Sequence, residues 1–220
     1  MKLAYMLTLP DDERKYLTGS FSGGDPNYSQ DVDISGQKIK GATLKTYFRM
    51  HQYAPDDFVR SAPTEFISNS SGLSDIDFGI GIYDDFSLIS EGFADLICAI
   101  EPNVHQFIEV KNARTRNGRA IGKKYYHFNI TRCFNAIDAS ASNVTLNSRD
   151  IVFEGSVSHI RSMRINYPID ITLKAEVVGA CHIWRGTLED INRVFVSSAL
   201  RRKMDDKKLK YACFQEVSVS

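Results

Sequence analysis

Glu109 and Lys111 have the residue types and the spacing of one half of a metal-dependent nuclease site. They stand in the segment FIEVKNARTRNGRAIGKKYYHF, residues 107–128. Residues two apart share a face of a strand, so a carboxylate suited to a divalent cation would lie beside an ammonium near the scissile phosphate. The same pair is also an ordinary solvated ion pair on a strand surface, and we favour that interpretation.

A nuclease of this kind also needs an upstream aspartate on a neighbouring strand. The nearest candidate, Asp95, falls in a predicted helix, where it would point to solvent, opposite the apolar stripe. Asp84 or Asp85 could serve only if their strand lay beside residues 104–111. A metal-dependent nuclease that uses Glu109 and Lys111 therefore stays as the alternative function.

No other set of residues predicts catalysis, a metal site or a cofactor. Residues 118–124 resemble a phosphate loop, but the segment lacks the Ser or Thr that binds Mg²⁺ and leads into a strand. The histidines form no His-Glu-x-x-His motif, and no Ser or Cys stands in a nucleophile motif. We therefore expect no enzyme. A solvated loop is the favoured interpretation of the basic residues, which are Lys111, Arg114, Arg116, Arg119, Lys123 and Lys124.

Length and composition indicate a folded protein without a strong charge bias. A chain of 220 residues buries roughly 70% of its unfolded surface. Lys and Arg number 27, as do Asp and Glu, so no overall basic field attracts nucleic acid or a membrane. No apolar stretch has the length of a signal-peptide core or a membrane span. We expect a cytoplasmic protein with reduced cysteines in apolar surroundings, at Cys98, Cys133, Cys181 and Cys213.

Apolar periodicity predicts the elements that carry these residues. Ser90 is a good N-cap for a helix with one apolar stripe that ends at Pro102. A polar hairpin loop at 112–122 should join two antiparallel strands. Strands are predicted at residues 2–9, 43–50, 77–86, 104–111 and 123–130.

The Ser-capped helix and the strand after it recur near the C-terminus. Placing Ser90 over Ser197, an offset of 107 residues, places Phe107 over Phe214 without a gap. We therefore predict the same helix and strand twice, with Phe107 and Phe214 buried to the same depth. Other pairs on this offset are Phe93 with Leu200, Ile97 with Met204, Glu109 with Glu216 and Val110 with Val217.

Several of these segments resemble the bacterial immunity proteins of the Myxococcus-type "Imm eleven" family. The resembling segments are 88–96, 104–107, the Tyr125-Tyr126-x-x-Asn129-x-x-Arg132 pattern continuing to 140, a helix at 194–197 and a strand at 209–214. The resemblance covers about residues 80–216 and depends on packing and capping residues. Ile183-Trp184-Arg185 departs from the family's shorter apolar-Phe-Arg pattern, and residues 1–75 resemble no family.

The resemblance implies a non-enzymatic protein that binds and neutralises a cognate polymorphic toxin and so protects the producing cell. Such proteins are encoded beside toxins that secretion systems deliver between bacteria. The implied partner is a toxin domain, for which a nuclease is one candidate activity, and neither nucleic acid nor a membrane. A basic nuclease would suit an acidic rim, and the candidate partner-binding residues are Asp75, Asp77, Asp84, Asp85 and Glu91.

The sequence thus predicts an α+β protein. Its β-rich N-terminal part covers residues 1–86, and a mixed part with two helix–strand units covers 87–220, either as two domains or as one continuous domain. Neutralisation of a toxin is the leading function. A third function, a structural or adaptor module, also stays open.

Overall fold

A computed structural model describes most of the chain and confirms the β-rich α+β class. The described residues are 2–7, 19–25, 28–34, 36–50, 52–68, 77–80, 87–153, 156–186, 193–210 and 214–220. The strands are β1 (Lys2–Leu7), β2 (Gly19–Ser22), β3 (Gln30–Ile34), β4 (Gln37–Ala42), β5 (Glu65–Ser68), β6 (Phe78–Ile80), β7 (Ser87–Ser90), β8 (Gln106–Val110), β9 (Asn112–Thr115), β10 (Tyr125–Asn129), β11 (Cys133–Phe134), β12 (Val144–Phe153), β13 (Ser156–Ile165), β14 (Thr172–Leu173), β15 (Ile183–Gly186), β16 (Val194–Ser197) and β17 (Phe214–Val219). The helices are α1 (Leu44–Arg49), α2 (Asp56–Arg60), α3 (Glu91–Ile100), α4 (Ala175–Val178) and α5 (Ser198–Asp206).

Contacts divide the chain into two compact units. The first comprises Met1–Thr8, Arg132–Arg202 and Phe214–Ser220, and the second comprises Leu9–Thr131 and Lys203–Cys213. The predicted boundary near residue 86, between the β-rich part and the first predicted helix, is not tested by this division and stays a prediction.

The second unit contains a four-stranded sheet in the order β6-β7-β10-β8. Strand β10 pairs antiparallel with both neighbours, so that Tyr126 lies opposite Ile89 of β7 and Glu109 of β8. The predicted pairing of 104–111 with 123–130 is therefore confirmed. Their connection is more than the predicted loop, because it contains β9, which pairs parallel with β5.

Helix α3 forms as its sequence predicts. The Ser90 side chain accepts a hydrogen bond from the backbone N–H of Phe93 at 3.4 Å, which caps the first turn. The apolar stripe is buried, with Phe93 and Ile97 both 0% exposed. The helix ends at Ile100, before Pro102.

The strand predicted at 43–50 is wrong, because residues 44–49 form helix α1. Thr43 and Thr46 form a reciprocal capping box that satisfies backbone donors at the start of the helix. Leu44, Tyr47 and Phe48 are buried at helical spacing, and the Tyr47 ring lies 4.7 Å from that of Phe58 in α2. In so short a segment, alternation and helical spacing overlap, and the cap decides between them.

The first unit contains a six-stranded sheet in the order β11-β15-β16-β1-β17-β14. Strand β1, predicted from residues 2–9, lies between β16 and β17 and pairs antiparallel with both. The core of the first unit includes Met6, Trp184 and Phe195, and the rings of Trp184 and Phe195 stack with their centroids 5.8 Å apart. Strands β12 and β13 form a separate two-stranded sheet.

The predicted repeat is confirmed by secondary structure and by strand register. Strand β7 and helix α3 recur after 107 residues as β16 and α5, and β8 recurs as β17. In each copy an antiparallel strand lies between the two strands that flank the helix, and a further strand, β6 or β15, pairs with the first of them. Phe107 and Phe214 are both half-buried, and residues 194–197, helical in the family resemblance, form strand β16.

The structure also bears on two expectations drawn from composition, the lack of a membrane span and the burial of the cysteines. No helix in the described ranges is long and apolar enough to cross a membrane. Cys98, Cys133 and Cys181 are free thiols, but Cys98 is exposed and the other two are half-buried, so they are not the core cysteines expected. Cys213 lies outside the described residues.

Candidate partner-binding surface

Asp77, a predicted rim residue, is buried, with 7% of its surface exposed. Its Oδ1 accepts hydrogen bonds from Ser90 Oγ at 2.7 Å and from Lys123 Nζ at 3.1 Å, and its Oδ2 accepts one from the backbone N–H of Lys210 at 2.8 Å. Its backbone C=O also accepts a hydrogen bond from Ser90 N–H. The carboxylate therefore joins the start of β6, the cap of α3 and the chain after α5.

Glu91 lies on the first turn of α3 with about half of its side chain exposed, and its Oε1 lies 3.2 Å from Lys124 Nζ. The hydrogen bond to Glu91 raises the pKa of Lys124 above its usual range. Burial raises the pKa of Tyr126, and the carboxylates of Glu91, Glu109 and Asp95 raise it further. Around Tyr126, Glu91 thus belongs to a surface of mixed charge.

The other predicted rim residues, Asp75, Asp84 and Asp85, lie outside the described residues. The structure therefore brings only Asp77 and Glu91 near each other, through Ser90 at the start of α3. Partner binding by the five acids stays a prediction.

Glu109 is exposed on β8, and Lys111 is exposed just beyond the end of that strand. Glu109 lies opposite Tyr126, and Asp95 is exposed on α3, as expected. In the part of the chain that the structure describes, no three His, Cys, Asp or Glu residues converge in a way that could hold a metal ion. The geometry does not support the nuclease alternative.

Two buried histidines, His105 and His127, have structural roles. Nδ1 of His105 accepts the backbone N–H of Thr131 at 3.3 Å, which leaves Nε2 to donate to Glu101 Oε2 at 2.9 Å. Both side chains of this pair are buried, and the pair fixes the turn after α3. His127 is fully buried, and its Nε2 donates to the backbone C=O of Pro63 at 2.8 Å.

A pocket of about 290 Å³ in the first unit lies beside the start of α5. His182, Ser197, Trp184 and Cys181 line it, together with small residues. His182 Nδ1 lies 2.9 Å from Ser197 Oγ, an arrangement reminiscent of an activated serine. However, Ser197 Oγ also accepts the N–H of Leu200 at 3.1 Å, as an N-cap does. The second unit has the same cap at Ser90, bound to Asp77, so we assign the Ser197–His182 pair to capping.

Comparison with protein families gives one match. The model of the immunity protein family (Imm11) matches residues 78–219, more than half of the chain. The chain belongs to this immunity protein family. A search of curated proteins finds no match.

The matched segment has clear structural limits. It begins at the first residue of β6 and ends at the last residue of β17, so it spans both copies of the repeat except β1. The resemblance inferred for residues 80–216 is confirmed. An immunity function follows from membership of the family.

Sequence reasoning missed the internal partners of Asp77, namely Lys123 and the backbone of Lys210. Lys123 is 46 residues and Lys210 is 133 residues away along the chain, so no local pattern joins them. The repeat gave no direct signal, because its offset of 107 residues places Asp77 over Trp184, whereas the residue that directly precedes β15 is His182.

Proposed function

We propose that this protein neutralises a cognate toxin by binding the toxin domain tightly, without catalysis of its own. Membership of the immunity protein family is the observation that carries the proposal. An inhibitor of this kind needs a rigid scaffold and a complementary surface of roughly 800 Å² with a few anchoring side chains, and no reactive group. We place the protein in the cytoplasm of a cell that uses secreted toxins against competitors.

The two sheets of the repeat supply such a scaffold. Each has a central strand hydrogen-bonded on both sides, and the helix of each copy is fixed by a serine cap. A surface held by such elements loses little conformational entropy on binding, which favours high affinity.

Co-expression with the toxin domain encoded beside this gene tests the proposal. The protein should restore growth and form a stoichiometric complex with a Kd of about 10⁻⁹ M or lower, roughly 12 kcal/mol of binding free energy. The double variant Glu109→Gln with Lys111→Ala should protect equally well and distinguishes binding from nuclease activity. Metal-dependent cleavage of DNA or RNA that disappears in this variant would contradict the proposal, as would failure to bind the toxin.

A further inference from the structure

The outer face of the β5–β9 pair is exposed and carries an apolar residue beside arginine. Register places Ile67 of β5 opposite Arg114 of β9. Ile67 is 36% exposed, whereas its neighbours Phe66 and Ser68 are 2% and 0% exposed, so the two sides of β5 differ sharply. In β9, Arg114 is likewise exposed while Ala113 is half-buried. Strand β9 lies at the edge of its three-stranded sheet.

The turn that follows β9 adds positive charge beside this face. Arg116 and Arg119 are exposed, and residues 111–119 include no acid. We call Ile67, Arg114, Arg116 and Arg119 the basic face. One acid, Glu65, contacts this face, and its Oε1 lies 3.4 Å from Arg114 Nη2.

The turn that carries Arg116 and Arg119 is held by backbone hydrogen bonds. Thr115 C=O accepts the N–H of Gly118 at 2.8 Å, and Thr115 N–H donates to Arg119 C=O at 2.8 Å. Gly118 has a φ of +80°, which favours glycine at this position. Just beyond the turn, the buried Ile121 anchors the returning chain. The arginines are therefore presented on an ordered backbone, which reduces the entropy lost on binding.

We propose that the basic face binds an acidic surface of the cognate toxin domain, with Ile67 as its apolar anchor. This inference rests on the proposed function and adds the chemistry of the partner. Arginine is enriched in protein interfaces because its planar guanidinium binds carboxylates with two hydrogen bonds and also packs on apolar surface. The two predicted acidic residues that the structure describes suit the role less well, because Asp77 is buried against Lys123 and Glu91 is paired with Lys124.

An acidic protein fits this face better than nucleic acid does. The chain has 27 basic and 27 acidic residues, so there is no overall positive field to attract a polyanion. Ile67 and Glu65 lie beside the arginines, where a phosphate backbone offers no apolar contact and repels the carboxylate.

Charge reversal tests the basic face directly. The double variant Arg116→Glu with Arg119→Glu should bind the purified toxin domain at least about tenfold more weakly at low salt, chiefly through a slower association rate. The loss should shrink at high salt, where exposed charges are screened. Lys203→Glu with Lys207→Glu is the matched control, because both lysines are exposed and the net charge changes equally. Ile67→Ser should speed dissociation, and thermal unfolding of every variant checks its fold.

The outcomes separate this inference from the function on which it rests. If the wild-type protein does not bind the neighbouring toxin, both fail. If the wild-type protein binds and the Arg116→Glu, Arg119→Glu variant binds equally well, only the basic face is wrong. Loss of binding to a short DNA duplex or RNA in that variant, with unchanged toxin affinity, would also overturn it. Recovery of affinity when an acid of the toxin is changed to Lys would support it.

Discussion

The two copies of the repeat share their pairing register and differ in the origin of the strand at their centre. In the second unit, Tyr126 of β10 lies opposite Ile89 and Glu109. In the first unit, Tyr5 of β1 lies opposite Val196 and Glu216, the residues 107 positions further along the chain. Strand β10 follows its copy after only β9, whereas β1 precedes its copy and is separated from it by most of the other strands. The same sheet is thus assembled from local strands once and from distant strands once.

The copies also show which residues the framework requires. Phe93 and Leu200, on the same offset, are both 0% exposed, as are Ile97 and Met204. Both helices begin after a serine whose side chain accepts a backbone N–H three residues on. These two positions are therefore apolar and fully buried in both helices.

Exposed positions on the two helices have diverged. Asp95 of α3 is an acid, whereas the corresponding Arg202 of α5 is a base. Ala94 is buried, and its counterpart Arg201 places its guanidinium 5.9 Å from the ring of Tyr5 and 5.6 Å from that of Phe214. Leu96 is also buried, whereas its counterpart Lys203 is exposed, so the two helices share only part of their buried stripe.

Breaking the central strands should give the largest effects. Tyr5→Pro and Tyr126→Pro each remove a backbone donor from a strand paired on both sides, and each should cost about 3 kcal/mol or more. Circular dichroism and urea unfolding measure the loss. If the copies are equivalent, the two variants should be destabilised by comparable amounts.

A matched exposed position controls for the introduction of proline itself. Thr145 lies on β12, outside both copies, and is exposed. Thr145→Pro should therefore spare both repeated sheets. An unchanged unfolding midpoint for Tyr5→Pro would show that β1 does not complete the first unit's sheet.

Local signals in the sequence were sufficient for much of the repeat. The serine cap, the apolar stripe and Pro102 define α3, and alternation defines β8 and β10. The position of β1 could not be predicted, because nothing in its own six residues indicates that it pairs with residues near 195 and 217. Helix α1 was missed because its capping box uses threonines, which also favour strands.

The candidate site was harder to predict than the fold. An aspartate beside a turn-rich segment is usually solvated, and only tertiary structure shows that Asp77 meets Ser90, Lys123 and the backbone of Lys210. The basic residues around β9 were visible in the sequence. Their alignment with Ile67 depends on the parallel pairing of β5 with β9, which no local pattern reveals.

Truncation of the two phenylalanines at matching positions of the repeat should lower the stability by an intermediate amount. A fully buried Phe→Ala change costs about 3–5 kcal/mol, the cost expected from sequence for Phe107 and Phe214. Since both are half-buried, we now expect about 2 kcal/mol for each, measured by urea unfolding. Phe107 stacks on Phe128 at 5.1 Å, while Phe214 lies under Arg201, so similar costs would reflect burial and not one shared contact. A loss below about 0.5 kcal/mol at one site would break the equivalence.

The helix caps should give the smallest effects and the most specific difference. Aspartate caps helices about as well as serine, so Ser→Asp alone has little cost. At Ser90, however, the new carboxylate would face that of Asp77, which lies 2.7 Å from the serine oxygen. At Ser197 it would face the imidazole of His182, at 2.9 Å.

Two carboxylates at such a short distance repel each other, whereas an imidazole N–H donates a hydrogen bond to a carboxylate. Ser90→Asp should therefore cost about 1 kcal/mol, and Ser197→Asp should change stability by less than about 0.5 kcal/mol. Urea unfolding of both variants measures the difference, with Ser90→Thr and Ser197→Thr as controls that keep the hydroxyl. If adding Asp77→Asn to the Ser90→Asp variant restores its stability, the cost comes from the two facing carboxylates. Equal costs for the two aspartate variants would mean that Asp77 and His182 have no influence on the caps.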